Sequence, residues 1–160
     1  MTSMDNLATR ADMRELAQEA IDNFAALLDG VDFEAEMELM GIGRFQFMRR
    51  RQMKVELRGL YMALWRLALQ SSFPQDCEEM FRIFLESYAQ SHPGRLPAQA
   101  IERATQYWGM LQPRGASDFS CLGEHLSSFA ELDEADSRRQ ALKLVLHLRK
   151  AYRFIFERLI

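Results

Sequence analysis

The sequence predicts an all-α fold, a compact orthogonal or up-down bundle of six to seven helices that forms a single domain over residues 1–160. Apolar residues recur at intervals of three and four in every segment, whereas alternation of apolar and polar residues is nowhere sustained. Short turns that contain proline or glycine separate these segments. With 160 residues, 48% of them hydrophobic, the chain is large enough to bury one core.

The first predicted helix carries an apolar face between residues 13 and 28. Asp12 and Glu15 are three residues apart, as in a capping box, and predict its start. Gly30 predicts its end, because glycine adopts the left-handed conformation common after helix C-termini. A short acidic helix follows from about Phe33 to Met40, and the sequence Gly41-Ile42-Gly43 interrupts it.

A long central helix at about 44–71 is the clearest element of the sequence. Its apolar stripe has a 4-3-4-3 spacing and consists of Met53, Leu57, Leu60, Leu64 and Leu67. The first half is amphipathic, with Arg51, Lys54 and Arg58 on the opposite side. In the second half the opposite side is also apolar, so residues 60–69 are expected to be the best-buried part of the fold.

Proline and glycine place the remaining helices. Ser72-Phe73-Pro74 predicts the start of a helix through Cys77 and Tyr88, and the segment 91–94 predicts its end. Pro97 opens another helix, which runs to Leu111. Ser117 or Asp118 caps a shorter helix, and a long last helix runs from the acidic loop around Asp133 to the C-terminus.

Charge is arranged in blocks, although the net charge is only −3. Residues 1–43 contain ten acidic residues and two arginines, and residues 44–58 contain six basic residues and one glutamate. Residues 59–133 hold nine acids and five bases, whereas residues 134–160 hold seven bases and three acids. Blocks of this kind either neutralise each other inside the fold or face a partner.

Residues 39–51 combine a glycine turn with a basic segment and read Leu-Met-Gly-Ile-Gly-Arg-Phe-Gln-Phe-Met-Arg-Arg-Arg. They resemble the centre of bacterial helix-turn-helix segments, in which a glycine turn precedes an apolar residue and a basic recognition helix. The resemblance implies that Ile42 packs between two helices and that arginines reach phosphates or guanine edges. Within segment 34–54, the candidate nucleic-acid or anion contacts are Arg44, Arg49, Arg50, Arg51 and Lys54.

The sequence favours a second interpretation of this segment. The two glycines form a hinge, and the arginines either are solvated or pair with Glu34, Glu36 and Glu38 of the preceding helix. Those glutamates would also repel a DNA backbone. The pattern does not decide whether the basic segment 44–58 faces solvent or pairs with the acidic segment 29–38.

The C-terminal helix is a candidate surface for self-association. Terminal residues fray unless they are docked, so its apolar end is expected to pack across the domain or against a second subunit. The candidate residues are Tyr152, Phe156, Leu159 and Ile160.

A basic line on the same helix is expected to be solvated or to pair with the acidic block of a second subunit. It consists of Arg139, Lys143, His147 and Lys150.

Catalytic and cofactor motifs are not recognisable in the sequence. Gly41-Ile42-Gly43 follows a helix instead of a strand, which is not the context of a phosphate-binding loop. Cys121 and His125 are four apart and supply at most half of a zinc site. Cys77 lies on an apolar stripe, and no cysteine pattern predicts a disulfide framework. We therefore expect no cofactor and no metal.

These observations favour an interaction protein that self-associates and binds another macromolecule. The alternatives are a nucleic-acid-binding regulator that uses segment 34–54 and an enzyme with a cryptic helical pocket. Because neither a membrane-spanning run nor a signal-peptide pattern is found, the sequence predicts a cytoplasmic protein without a membrane span. The partner, any small-molecule ligand and the oligomeric state stay open at this point.

Overall fold

Seven α-helices and one short 3-10 turn make up the regular structure of residues 2–160, the part of the chain that the computed structural model describes; of residues 1–8, only Met4 and Leu7 have described side chains. No strand occurs in this part, so the all-α prediction is confirmed. The helices are α1 (Thr2–Gly30), α2 (Glu34–Leu39), α3 (Phe47–Ser72), α4 (Cys77–Ser91), α5 (Arg95–Leu111), α6 (Ser120–Ser127) and α7 (Glu134–Glu157).

Three helix starts differ from the predicted positions. α1 begins at Thr2, about ten residues before Asp12. The described side chains before Leu16 are exposed, so no buried apolar face indicates this part of the helix. α3 begins at Phe47 instead of residue 44, since the Gln46 side chain accepts a hydrogen bond from the Gly43 N–H at 2.8 Å and closes a turn there. α4 begins at Cys77, because residues 74–76 form a turn.

α3 is the centre of the fold, as the sequence predicts. Every residue from Leu60 to Leu69 except Arg66 is buried. The helix packs most extensively against α5 and also contacts α1, α4 and α7. Trp65 joins three of these helices, because its ring stacks on Phe24 of α1 at 4.6 Å and meets the edge of Phe84 of α4 at 5.0 Å.

Glycine allows α3 and α5 to cross at close range. A Cβ atom on Gly59 would lie 2.5 Å from Cβ of Arg103 and 2.7 Å from the carbonyl oxygen of Ala100. A similar contact joins α6 to α7, where a Cβ on Gly123 would lie 2.6 Å from the carbonyl oxygen of Ala141. Any larger residue at either position would force the two helices apart.

Among the helices described, none is both long and apolar enough to cross a membrane.

Candidate binding surfaces

The turn between α2 and α3 positions the basic segment. Gly41 has a φ of 70°, the left-handed conformation that glycine adopts without steric cost. Its N–H donates to the carbonyl of Glu38 at 3.1 Å, and the N–H of Ile42 donates to Met37 at 2.9 Å. These two bonds define a Schellman motif, and the buried Ile42 and Met37 side chains accompany it. The turn is therefore fixed by backbone hydrogen bonds and by the core.

The geometry of this turn differs from that of a helix-turn-helix. Ile42 is buried, as the resemblance implies. However, α2 has only six residues, and seven residues separate it from α3. The turn in a helix-turn-helix has three or four residues. The resemblance therefore extends to the glycine turn and the packed isoleucine but not to the length of the connection.

Each of the three α2 glutamates has a different environment. Glu34 forms an ion pair with Arg50, which is half-buried. Glu36 is buried and faces the core, and Glu38 is exposed and has no ion pair with a described residue. The pairing interpretation therefore holds for one arginine only, and α2 does not neutralise the rest of the basic segment.

Glu36 forms a buried polar cluster with α3 and α7. Tyr61 donates a hydrogen bond to Glu36 Oε1, and Nε2 of His147 lies 3.0 Å from the same oxygen. Burial alone would raise the pKa of Glu36, but the adjacent His147 imidazole and the Tyr61 hydroxyl outweigh it, so the pKa is lowered. Burial and the neighbouring carboxylate raise the pKa of Tyr61. His147 is thus not on a solvated line; it contacts the acidic segment 29–38 of its own chain.

A second buried glutamate links α3 to α5. Glu56 accepts a hydrogen bond from Nε of Arg103 at 2.6 Å and another from the hydroxyl of Tyr107 at 2.7 Å. Burial and these contacts with Glu56 raise the pKa of Tyr107. Because all partners of Glu56 come from α5, this carboxylate does not neutralise the bases on the other sides of α3.

The candidate nucleic-acid contacts are found in three environments. Arg44 is exposed in the turn before α3, and Arg49 is exposed but donates to the carbonyl of Phe129 at 3.2 Å. Arg50 is paired with Glu34. Arg51 and Lys54 have no ion pair with a described carboxylate, and both line a cleft between α3, α4 and α5.

Three large apolar side chains project beside these bases. Phe45, Phe47 and Met48 are 81%, 71% and 87% exposed. The two phenylalanine rings meet edge to face at 6.4 Å. Together with Arg44 and Arg49 they form what we call the basic-aromatic surface. An apolar group of this exposure, flanked by cations, is suited to contact with another molecule.

The C-terminal candidates face in two directions. Leu159 is buried, and its carbonyl accepts a hydrogen bond from Nδ2 of Asn23 at 3.4 Å. Tyr152 is half-buried against Phe119, and burial raises its pKa. Phe156 and Ile160 remain 42% and 56% exposed. The terminus therefore packs across the domain and still leaves apolar surface in solvent.

A groove of about 670 Å³ lies between α1 and the end of α7. Its lining is mostly apolar and includes Ala26, Leu27, Val31, Phe154 and Ile160, with Asn23, Gly30, Glu157 and Arg158 completing it. Of the four predicted self-association residues, only Ile160 lines the groove. We call this feature the C-terminal groove.

From the sequence, Glu36 was expected only as a partner of the arginines, and no role was predicted for Glu56 or for the hydroxyl of Tyr88. Spacing would have identified the glutamates, because Glu36 is three residues after Phe33 and four before Met40, and Glu56 is three after Met53 and four before Leu60. Both positions fall on apolar helix faces. Tyr88 was assigned to the apolar stripe of its helix, and no sequence signal marks its hydroxyl.

No described group of three or more histidine, cysteine, aspartate or glutamate side chains could hold a metal ion. Comparison with known protein families, curated proteins and solved structures finds no match to this chain.

Proposed function

We propose that the protein is an interaction protein that self-associates through the C-terminal groove. The observation that carries this proposal is an apolar groove that continues into exposed apolar side chains at the chain end. Contiguous exposed apolar surface of this kind is typical of protein–protein interaction sites. The occupant we infer is the same surface of a second copy.

The charges around the groove support a second copy as the partner. A two-fold symmetric interface brings the same patch of both subunits together, so the patch must complement itself. Glu157 and Arg158 are adjacent and exposed, and neither forms an ion pair with a described residue. Across a two-fold axis, each can pair with its opposite in the other subunit. The Arg158 guanidinium lies over the Phe154 ring at 3.5 Å, which keeps its charge at the rim.

Sedimentation velocity at micromolar concentrations tests self-association. The wild-type chain is expected to sediment as a dimer, and Ile160→Asp should give a monomer, because an unpaired carboxylate would be buried in the interface. Leu146→Asp is the matched control, since Leu146 is 50% exposed but does not line the groove. A wild-type monomer at all concentrations, or equal dissociation by the control variant, contradicts the proposal.

Nucleic-acid binding is a second candidate function, favoured by the basic-aromatic surface. Exposed aromatic rings can stack on unpaired bases while neighbouring arginines contact phosphates. Phe45 and Phe47 provide the rings, and Arg44 and Arg49 provide cations that no described carboxylate pairs. Single-stranded nucleic acid fits this surface better than a duplex, because the rings project from the turn at Phe45 and from the first residue of α3, Phe47, and not from the middle of a recognition helix.

Fluorescence anisotropy with labelled single-stranded and duplex oligonucleotides tests this candidate. Single-stranded binding should weaken steeply as salt is raised, because phosphate contacts release counterions. Replacing Phe45 and Phe47 by alanine should weaken binding by roughly tenfold or more, because stacking contributes about 1–3 kcal/mol per base. Exposed Phe154→Ala serves as the control. Absence of binding at low salt excludes this function and leaves the self-association proposal untouched.

A further inference from the structure

A cleft between α3, the end of α4 and the start of α5 gathers three basic residues. Arg51, Lys54 and Arg58 are spaced three and four apart, so one face of α3 presents all of them. All three line the cleft, together with Tyr88 of α4 and with Leu96 and Pro97 in the first turn of α5. The cleft has a volume of about 130 Å³. This space greatly exceeds what one water molecule requires and is suited to a small oxyanion.

Two of the residues that line the cleft carry polar atoms that are buried without a hydrogen-bond partner. They are Nε of Arg58 and the hydroxyl oxygen of Tyr88, neither of which bonds to any residue in the described part of the chain. Tyr88 is only 5% exposed. A buried donor without a partner is unfavourable, and a bound ligand or water is one way to satisfy it. Here two donors belong to the same cleft.

The charges of the cleft are not balanced by the surrounding protein. None of the three bases forms an ion pair with a carboxylate of the described chain. Glu56, the only acidic residue of α3, is held by Arg103 and Tyr107 of α5. The cleft also reaches the N-terminal turn of α5, where the helix dipole favours negative charge. The cations and the two unpaired donor groups therefore favour an anion.

We propose that this cleft binds a phosphate monoester group. A terminal phosphate has three oxygens that accept hydrogen bonds and carries nearly two negative charges at neutral pH. Those oxygens would accept from the Arg58 guanidinium and the Tyr88 hydroxyl, while Arg51 and Lys54 contribute charge at the cleft mouth. A phosphodiester has a single charge and two bulky substituents, so a narrow cleft of this kind disfavours it. The inference is independent of the self-association proposal, since the C-terminal groove shares no lining residue with the cleft.

Titration calorimetry of the full chain at low ionic strength tests the proposal. The probes are inorganic phosphate and a short oligonucleotide with or without a 5′ phosphate. Inorganic phosphate and the phosphorylated oligonucleotide should bind saturably, whereas the unphosphorylated oligonucleotide should not compete with phosphate. Tyr88→Phe should weaken phosphate binding roughly tenfold or more, because a hydrogen bond to a charged group contributes about 1.5–3 kcal/mol.

Stability separates a ligand-binding role of Tyr88 from a structural one. Tyr88→Phe removes an unsatisfied hydroxyl, so without phosphate its melting temperature should equal or exceed that of the wild type. Tyr107→Phe is the matched control, because Tyr107 is equally buried but bonded to Glu56. This control should lower the melting temperature and leave phosphate affinity unchanged.

Arg58 provides an independent variant. Arg58→Met should reduce phosphate affinity at least tenfold, and Arg58→Lys, which retains the charge, should reduce it less. Three results overturn the proposal: no saturable phosphate binding by the wild type, unchanged affinity in both Tyr88→Phe and Arg58→Met, or displacement of bound phosphate by the unphosphorylated oligonucleotide. The last result would assign the cleft to the backbone of a nucleic acid.

Discussion

At the scale of single residues, two buried glutamates anchor α3 to its neighbours. Each accepts a hydrogen bond from a tyrosine and faces a basic side chain, which is His147 for Glu36 and Arg103 for Glu56. A buried carboxylate is tolerated when hydrogen bonds replace its lost hydration. Removing one partner of such a pair costs about 3–5 kcal/mol, because the remaining charge stays buried. Both glutamates therefore determine how α3 meets the surrounding helices.

Glu36 should make the protein sensitive to acid. Its pKa in the folded state is lowered from the ordinary value of 4.5, so its contribution to stability is fully present above pH 4.5. That contribution is lost as the pH falls through the folded pKa, because the unfolded state binds the proton at a higher pH than the folded state does. We expect the free energy of unfolding of Glu36→Gln, measured by urea denaturation between pH 7 and pH 3, to depend less on pH than that of the wild type.

Glu38→Gln is the control for this prediction, because Glu38 is exposed, forms no ion pair with a described residue and is two residues away on the same helix. Its profile should follow that of the wild type. Parallel wild-type and Glu36→Gln profiles would mean that Glu36 does not contribute to the acid transition.

At the scale of secondary-structure elements, the crossing of α3 and α5 depends on Gly59. A methyl group there would lie 2.5 Å from Cβ of Arg103, which cannot move without displacing α5. The Gly59→Ala variant should therefore lose about 3 kcal/mol of stability in chemical denaturation. Displacing α5 would also move Arg103 and Tyr107 away from Glu56.

Gly109→Ala is the matched control for the helix crossing. Gly109 is also within a helix, but a Cβ atom there would have no neighbour within 4 Å. Alanine should stabilise α5 at this position by up to about 1 kcal/mol, because it loses less conformational entropy than glycine. If both variants changed stability in the same direction, helix propensity rather than close packing would govern Gly59.

The helices themselves were predictable from the sequence, whereas several of their starts were not. Apolar spacing reflects burial, so it located the stripe of α3 and the buried segment 60–69. α1 begins ten residues before the predicted start at Asp12, and no apolar periodicity marks such an extension. The start of α3 depends on a Gln46 side chain that closes a turn, and propensity does not reveal this contact.

At the scale of the whole molecule, the partners of the charged residues lie far away in the sequence. The spacing of residues along the chain therefore does not predict them. The sequence located the charge blocks correctly, but it assigned His147 to a solvated line. In the fold, His147 reaches Glu36 across more than a hundred residues of chain. Arg51 and Lys54 were named from the sequence as candidate contacts, which stays a prediction, whereas Tyr88 and α5, which complete their cleft, are distant in sequence. The sequence thus indicated two bases of the cleft but not the tyrosine and the helix that complete it.

The position of Trp65 gives the molecule an internal optical reporter. Its indole is stacked on Phe24 of α1 and shielded from water, and it also touches Phe84 of α4. The emission of tryptophan shifts to longer wavelength when its surroundings become polar. Fluorescence from this residue therefore follows the attachment of α1 to the rest of the bundle. Trp108, which lies beneath the Arg66 guanidinium at 4.5 Å, carries a second signal from the packing of α5 on α3.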